Sequence, residues 1–227
     1  MVILFDVLGT LFSLNKVMDR FRDQGIPQEV MELWFEKLMQ TAMASALTRK
    51  YFPLDVLARS TLLQVFAQKK VHEKQLERIL TALQEIEPHG DARGCLRTLR
   101  DDGHRLVALS NLSYDETERL LLRSGLYGEF ERFYSADMAR ACMPHPALYE
   151  LVFRTMFVGP YESCMVAAYG WNVLGAHAVG MSTIYIERAE KLWPFPGSPA
   201  GFIVSNLRDI PFAVASRLEH EGLKEAA

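Results

Sequence analysis

The chain has 227 residues, of which 49% are hydrophobic and 23% charged, and its formal net charge is −3. These values are ordinary for a globular protein and give no electrostatic support for nucleic-acid binding. The first residues contain no basic leader and no long apolar run, so we expect neither a signal peptide nor a transmembrane helix. Cys95, Cys142 and Cys164 lack metal-type spacing, which favours buried thiols in a reducing, cytoplasmic location.

The first predicted element is a strand over Val2–Phe5, because four apolar residues in a row are typical of a strand buried on both faces. It runs into a single carboxylate, Asp6, and Gly9 then lets the backbone turn sharply. From Lys16 to about Glu87 the apolar residues recur at three- and four-residue spacing. That spacing predicts a helical insertion of about 70 residues that contains no strand.

Strands and helices alternate after a break at Pro88. The predicted strands are Arg105–Leu109, Phe133–Ser135, Ser163–Ala168, Ser182–Ile186 and Gly201–Val204, and the predicted helices are Ala92–Arg100, Asp115–Ser124, Pro146–Phe157, Val173–Ala178 and Pro211–Glu219. This order predicts an α/β fold, a doubly wound Rossmann-like parallel sheet with an inserted helical cap. The predicted core domain is 1–14 with 88–227, and the predicted cap is 15–87.

Polar residues follow three of the predicted strands: Asp6 the first, Ser110–Asn111 the second, and Tyr169–Asn172 the strand at Ser163–Ala168. Ligands of doubly wound sheets bind at the carboxyl ends of the strands, so we expect these residues to converge on one crevice. Each has a plain structural alternative. Asp6 and Ser110 would serve equally as turn residues, and Thr10 as a helix cap.

Four segments appear in order along the chain: FDVLGTLF from Phe5, LSNLS from Leu109, MPHPALY from Met143 and AAYGWNVLGA from Ala167. As an ordered set they resemble the four motifs of the haloacid dehalogenase-like hydrolase superfamily, and most closely its 2-haloacid dehalogenase (type II) branch. The resemblance covers essentially the whole chain, including the helical insertion. It therefore implies the same fold that the alternating pattern predicts.

The resemblance implies a covalent mechanism, in which Asp6 attacks an electrophilic carbon and forms an aspartyl ester that water then cleaves. Thr10, Ser110 and Asn111 would orient Asp6 and hold the carboxylate of a small carboxylic acid substrate. Tyr149 falls where this branch has a site tyrosine, although a packing role is an equal alternative. Residues expected around the substrate are Leu8, Phe35, Tyr149, Tyr169, Trp171 and Asn172. A homodimer is expected from the resemblance alone.

Two positions argue against the phosphatase branch of the superfamily, which uses a second aspartate two residues after the nucleophile and binds Mg²⁺. The second aspartate is replaced by Leu8, and the fourth motif carries Asn172 with no acid between Ser163 and Thr183. Mg²⁺ is usually bound through one or two carboxylates, so Asp6 alone would make a poor site. We therefore expect no metal and no other cofactor.

Other positions depart from the dehalogenase pattern as well. Met143 stands where a lysine normally compensates the charge of the nucleophile, and Phe35 aligns with a cap arginine. The fourth motif has Ala167, Tyr169 and Asn172, and an asparagine can orient a water molecule but cannot take its proton at neutral pH. Candidate replacements for the lost positive charge are Arg49, Arg140, His145 and His177, each of which also has an ordinary surface or structural role.

Three hypotheses follow. The first is a metal-independent hydrolase of the 2-haloacid dehalogenase type, with impaired activity or an altered substrate, supported by Asp6 and Thr10. The second is a catalytically inactive homologue that binds a ligand or partner, supported by the changes at Met143 and Asn172. The third is a Mg²⁺-dependent phosphatase, which Leu8 makes the weakest of the three.

Overall fold

The computed structural model describes residues 1–190, 192–197 and 201–216. Its strands are β1 (Val2–Asp6), β2 (Phe12–Ser13), β3 (Glu87–Pro88), β4 (Arg105–Ser110), β5 (Arg132–Ser135), β6 (Ser163–Ala167), β7 (Ser182–Ile186) and β8 (Phe202–Val204). Six of them form one sheet in the order β5–β4–β1–β6–β7–β8, and every neighbouring pair is parallel. Strands spread in both directions from β1, so the predicted doubly wound α/β fold is confirmed.

Four α-helices lie between β2 and β3. They are α1 (Asn15–Asp23), α2 (Gln28–Leu47), α3 (Leu54–Lys69) and α4 (Leu76–Gln84). The buried Trp34 of α2 stacks on Phe21 of α1 at a centroid distance of 5.7 Å, and its Nε1 donates a 3.0 Å hydrogen bond to the Ala58 carbonyl of α3. These helices thus pack through one aromatic centre. Their separation as a domain over 15–87 stays a prediction.

The sheet is flanked by the later helices, α5 (Ala92–Asp101), α6 (Tyr114–Arg123), α7 (Ala136–Ala139), α8 (Pro146–Met156) and α9 (Gly170–Ala178). Local signals explain two of the starts. A capping box joins Ser113 to Glu116 at α6, and Pro146 occupies the first turn of α8. A last helix covers 210–216, and its predicted end at Glu219 lies outside the described residues. Among the residues described, no helix combines the length and the apolar character needed to cross a membrane.

Two details differ from the sequence-based expectations. A two-stranded antiparallel ladder, which the sequence did not predict, pairs β2 with β3 at the two ends of the helical insertion, with Phe12 opposite Pro88 and Ser13 opposite Glu87. Two-residue strands are too short to show an alternating pattern. Helix α9 begins at Gly170, three residues before its predicted start, and places Asn172 in its first turn. No capping residue precedes it, so the sequence gives no start signal.

Candidate active site

Asp6 lies at the carboxyl end of the central strand β1, between the ends of β4 and β6, and only 2% of its surface is exposed. Thr10 Oγ1 donates a hydrogen bond to Asp6 Oδ2 at 2.7 Å, and Thr10 Oγ1 also accepts a hydrogen bond from the Ala168 N–H at 2.9 Å. The intervening turn requires a positive φ of 76° at Gly9, which suits glycine. The turn therefore fixes the carboxylate against the end of β6.

Burial dominates the electrostatics of Asp6. Desolvation raises its pKa from the ordinary 3.8 to about 7, even though hydrogen bonds from Thr10, from the Asn172 side chain and from the Val7 backbone lower it. Among the residues described, no lysine, arginine or histidine nitrogen lies within 4.0 Å of the carboxylate. Asp6 is thus a buried acid without a cationic partner in the described chain, and it titrates near neutral pH.

Ser110 is the last residue of β4 and Asn111 follows it, so both lie at the predicted strand end, but their side chains are engaged by the backbone. Asn111 accepts a 2.7 Å hydrogen bond from the Met143 N–H through Oδ1 and donates one of 3.4 Å from Nδ2 to the Met143 carbonyl. Ser110 Oγ accepts from the Leu112 N–H at 3.1 Å. Both residues therefore brace the loops around Asp6, and contact with substrate stays a prediction for them.

Tyr149 and Asn172 form a buried support next to Asp6. The fully buried Tyr149 donates a 2.9 Å hydrogen bond from its hydroxyl to the Asn172 carbonyl. Asn172 is 2% exposed, and its Oδ1 is buried with no hydrogen-bond partner in the described chain. Because the same side chain contributes to the pKa of Asp6, Oδ1 is an open acceptor beside the carboxylate. It suits a water molecule.

Three aromatic rings cover the turn after β1. Trp171 stacks on Tyr169 at a centroid distance of 4.5 Å and an interplanar angle of 10°. Phe35 of α2 also contacts the Tyr169 ring, at a centroid distance of 5.5 Å. A Cβ atom placed on Gly9 would lie 2.6 Å from Tyr169 Cε2. Gly9 is therefore required twice, for its positive φ and for this close approach of the ring.

These rings line a cleft of about 470 Å³ between α2 and the turn after β1. Phe35, Tyr169 and Trp171, three of the residues predicted around the substrate, are brought together there. Leu8 and Tyr149 do not line this cleft; both are buried, and Leu8 forms a bridge to Phe12. Of the residues predicted around the substrate, Phe35, Tyr169 and Trp171 thus form the cleft wall, whereas Leu8 and Tyr149 are buried away from it.

The proposed replacements for the missing cation are all engaged elsewhere or exposed. Arg140 lies 5.7 Å from the ring centroid of Tyr51, and His145 caps α8 by accepting the Ala147 N–H at Nδ1. Arg49 and His177 are exposed. None of these four side chains forms an ion pair with Asp6.

The ion pair between Arg188 and Asp91, which was not predicted from the sequence, supports the turn after β1. Arg188, two residues after the end of β7, donates from Nη1 to the Thr10 carbonyl at 3.2 Å and pairs through Nη2 with Asp91 Oδ2. Asp91 also accepts the Leu207 N–H at 3.0 Å. The place of Arg188 at the carboxyl end of a parallel strand is the signal that would have found it.

No group of three or more histidine, cysteine, aspartate or glutamate side chains able to hold a metal ion occurs within the described chain. The donors around Asp6 are a hydroxyl, an amide and a backbone N–H, and none is a second carboxylate. This set does not suit Mg²⁺, which favours carboxylate and other hard oxygen ligands.

Comparisons with known proteins agree with the geometry. A family model described as haloacid dehalogenase-like hydrolase matches residues 1–180. Haloacetate dehalogenase H-2 of Moraxella sp. (strain B) is 32% identical over 190 residues, which is 82% of this chain and 85% of the relative. (S)-2-haloacid dehalogenase 1 of Pseudomonas sp. (strain CBS-3) is 29% identical over 213 residues, or 91% of this chain and 93% of that one.

Among solved structures, L-2-haloacid dehalogenase from Xanthobacter autotrophicus superposes with a TM-score of 0.85 at 25% identity, covering 95% of this chain and 98% of that chain. The shared architecture includes both the sheet and the inserted helices, given this coverage. The family model, the relatives and the fold all point the same way, and the chain belongs to the haloacid dehalogenase-like hydrolases.

Proposed function

We propose that the protein is a metal-independent dehalogenase that hydrolyses the carbon–halogen bond of a small 2-haloacid, with Asp6 as its nucleophile. The observation that carries the proposal is the placement of Asp6, a buried carboxylate at the end of β1 that Thr10 orients at 2.7 Å. The names of the relatives, haloacetate and (S)-2-haloacid dehalogenases, support the substrate class. Because these relatives are enzymes, they favour catalysis over a binding protein without activity.

The reaction has two steps. An Asp6 oxygen attacks the halogen-bearing carbon from the side opposite the halogen, forms a carbon–oxygen bond, and the halide leaves with the bonding electron pair. Water then adds to the ester carbonyl. One of its protons goes to the departing alkoxide, which is released as the 2-hydroxy acid, the other goes to the solvent, and the Asp6 carboxylate is restored. Burial removes Asp6 from bulk water, and a poorly solvated carboxylate is a stronger nucleophile.

The neighbouring residues have distinct roles in this proposal. Thr10 orients the nucleophile, and Ser110 and Asn111 fix the loops that surround the substrate carboxylate. Asn172 accepts a hydrogen bond from the hydrolytic water through its open Oδ1, and Trp171 forms part of the apolar wall. The amide of Asn172 orients water without deprotonating it, so we expect ester hydrolysis to be the slower step.

Independence from metal follows from Leu8, which replaces the second aspartate of the phosphatase branch, and from the donor set around Asp6. We further infer a cytoplasmic location, because Cys95 and Cys142 are buried thiols and no disulfide joins the described residues. A homodimer is part of the proposal on resemblance alone. Light scattering of the purified protein measures it directly.

The test is a single turnover of chloroacetate or 2-chloropropionate in H₂¹⁸O, with the enzyme in excess. The proposal expects halide release that a chelator does not change and ¹⁸O in the Asp6 carboxylate, read by peptide mass spectrometry. Asp6→Asn should release no halide. If the wild-type protein releases no halide and gains no adduct with these acids, the proposal is wrong.

A further inference from the structure

Tyr169 lines the cleft, and its hydroxyl group forms no hydrogen bond to the described residues of the protein. The side chain is 8% exposed, and its ring is held between Phe35 and Trp171. Within the described chain this hydroxyl forms no hydrogen bond, whereas the buried hydroxyl of Tyr149 bonds to a carbonyl. A buried polar group usually has a partner, so an unpaired hydroxyl facing a cleft suggests a ligand atom.

The hydroxyl lies close to the nucleophile. Its oxygen is 2.7 Å from the place that a Cβ atom on Gly9 would occupy, in the turn that presents Asp6. Burial raises the pKa of Tyr169 above its ordinary 10.0, and the charges of Asp6 and Glu190 add to that effect. The phenol therefore keeps its proton at neutral pH and is available as a hydrogen-bond donor.

A departing halide needs such a donor. Among the other side chains of the cleft, Arg188 is held by Asp91 and the Thr10 carbonyl, and Ser13, Asn15, His89 and Trp171 are not among the groups that act on Asp6. The Asn111 amide bonds to the Met143 carbonyl, and Phe35 presents only an apolar ring. The described chain places no cationic nitrogen within 4.0 Å of Asp6. Tyr169 combines an O–H without a partner in the described chain with a position on the cleft wall against Gly9, in the turn that follows Asp6.

We infer that Tyr169 is a catalytic residue that donates a hydrogen bond to the leaving halide while Asp6 attacks the carbon. This inference rests on the proposed dehalogenase function. The carbon–halogen bond breaks as the Asp6 oxygen–carbon bond forms, and the halide takes the electron pair. The phenol keeps its proton throughout and stabilises the developing negative charge.

The dependence on leaving group separates this role from a structural one. A hydrogen bond stabilises the compact charge of chloride more than the diffuse charge of iodide. In Tyr169→Phe, which keeps the stacked ring, first-turnover halide release should fall ~10²-fold with chloroacetate and clearly less with iodoacetate. Measuring the first turnover prevents slow ester hydrolysis from hiding the effect.

A matched control is Tyr134→Phe, which also removes one hydroxyl from a buried tyrosine, here hydrogen-bonded to Thr155 Oγ1 at 2.7 Å. The ratio of its first-turnover rates with chloroacetate and with iodoacetate should equal that of the wild type. An equal loss for both substrates in Tyr169→Phe, or no loss, overturns the inference and leaves the proposed function standing. Absence of halide release from the wild type overturns both.

A second measurement is independent of turnover. Bromide titrations followed by tryptophan fluorescence use Trp171, which stacks on Tyr169, as the nearby reporter, and Trp171→Phe gives the signal of the other two tryptophans. Binding of bromide should be at least several-fold weaker in Tyr169→Phe than in the wild type and in Tyr134→Phe. Equal bromide affinities in the three proteins count against Tyr169 as a halide donor.

Discussion

The hydroxyl of Thr10 joins Asp6 to the neighbouring strand end: it donates to Asp6 Oδ2 at 2.7 Å and accepts the Ala168 N–H at 2.9 Å. This one oxygen therefore fixes which way the carboxylate faces and lowers its pKa. A hydrogen bond to a charged group contributes about 1.5–3 kcal/mol, which corresponds to roughly 10–100-fold in rate.

Thr10→Val should lower the rate of halide release by about that factor, because valine keeps the shape and removes the donor. Thr10→Ser keeps the hydroxyl and should retain most activity. The comparison uses first-turnover rates with chloroacetate. Equal rates in the valine variant and the wild type would show that the hydrogen bond has no part in orienting Asp6.

Activity should depend on pH near neutrality. Only the ionised form of Asp6 attacks carbon, and its pKa is raised to about 7 by burial. The first-turnover rate should therefore rise from pH 6 to pH 8, with a midpoint near the Asp6 pKa, whereas an ordinary aspartate would already be fully active at pH 5. A flat profile between pH 5 and pH 8 contradicts the raised pKa.

The same pKa predicts a pH-dependent stability. Between pH 3.8 and about 7 the folded state binds a proton that the unfolded state releases, so Asp6 makes the protein less stable as the pH rises through this window. The shift corresponds to about 4 kcal/mol. Asp6→Asn should therefore become more stable than the wild type as the pH increases from 5 to 8, measured by urea unfolding. If the difference in the free energy of unfolding between the two proteins stayed constant across this range, the pKa of Asp6 would not be raised by burial.

Met143→Lys should restore a positive charge at the position where the resemblance places one. Met143 is fully buried, and a nearby opposite charge lowers the pKa of a carboxyl group by about 1–3 units. The midpoint of the pH–rate profile should move to more acidic pH by at least about one unit, with some loss of thermal stability from the buried lysine. Met143→Gln is the uncharged control, and an identical shift in both variants would exclude a charge effect.

The Arg188–Asp91 ion pair should matter for folding as well as for the turn. Both side chains are largely buried, at 17% and 10% exposure, so Arg188→Ala leaves a buried carboxylate without its partner. We expect a loss of about 3 kcal/mol in the free energy of unfolding. The exposed pair Arg59–Glu77 is the control, and Arg59→Ala should unfold like the wild type. If the two variants had the same free energy of unfolding, the buried ion pair would contribute no more to stability than the exposed one.

Much of the fold follows from local patterns in the sequence. The apolar run before Asp6 predicts a buried strand, because strands covered on both faces are typically continuous apolar runs, and β1 occupies Val2–Asp6. The alternation after Pro88 determines a parallel sheet, and the strands Arg105–Ser110 and Ser163–Ala167 lie within one residue of their predicted bounds. Backbone hydrogen bonding and side-chain periodicity act over a few residues, so the sequence displays them directly.

The order of residues along the chain also places Asp6, the proposed nucleophile, in one short turn with Gly9 and Thr10. The surroundings of that turn come from contacts between segments far apart in the sequence. Asn111 is bound to Met143, and Arg188 reaches Thr10 across 178 positions. Such contacts depend on how distant strands and helices are brought together, and no local pattern records them. The raised pKa of Asp6 and the open hydroxyl of Tyr169 arise from that three-dimensional burial.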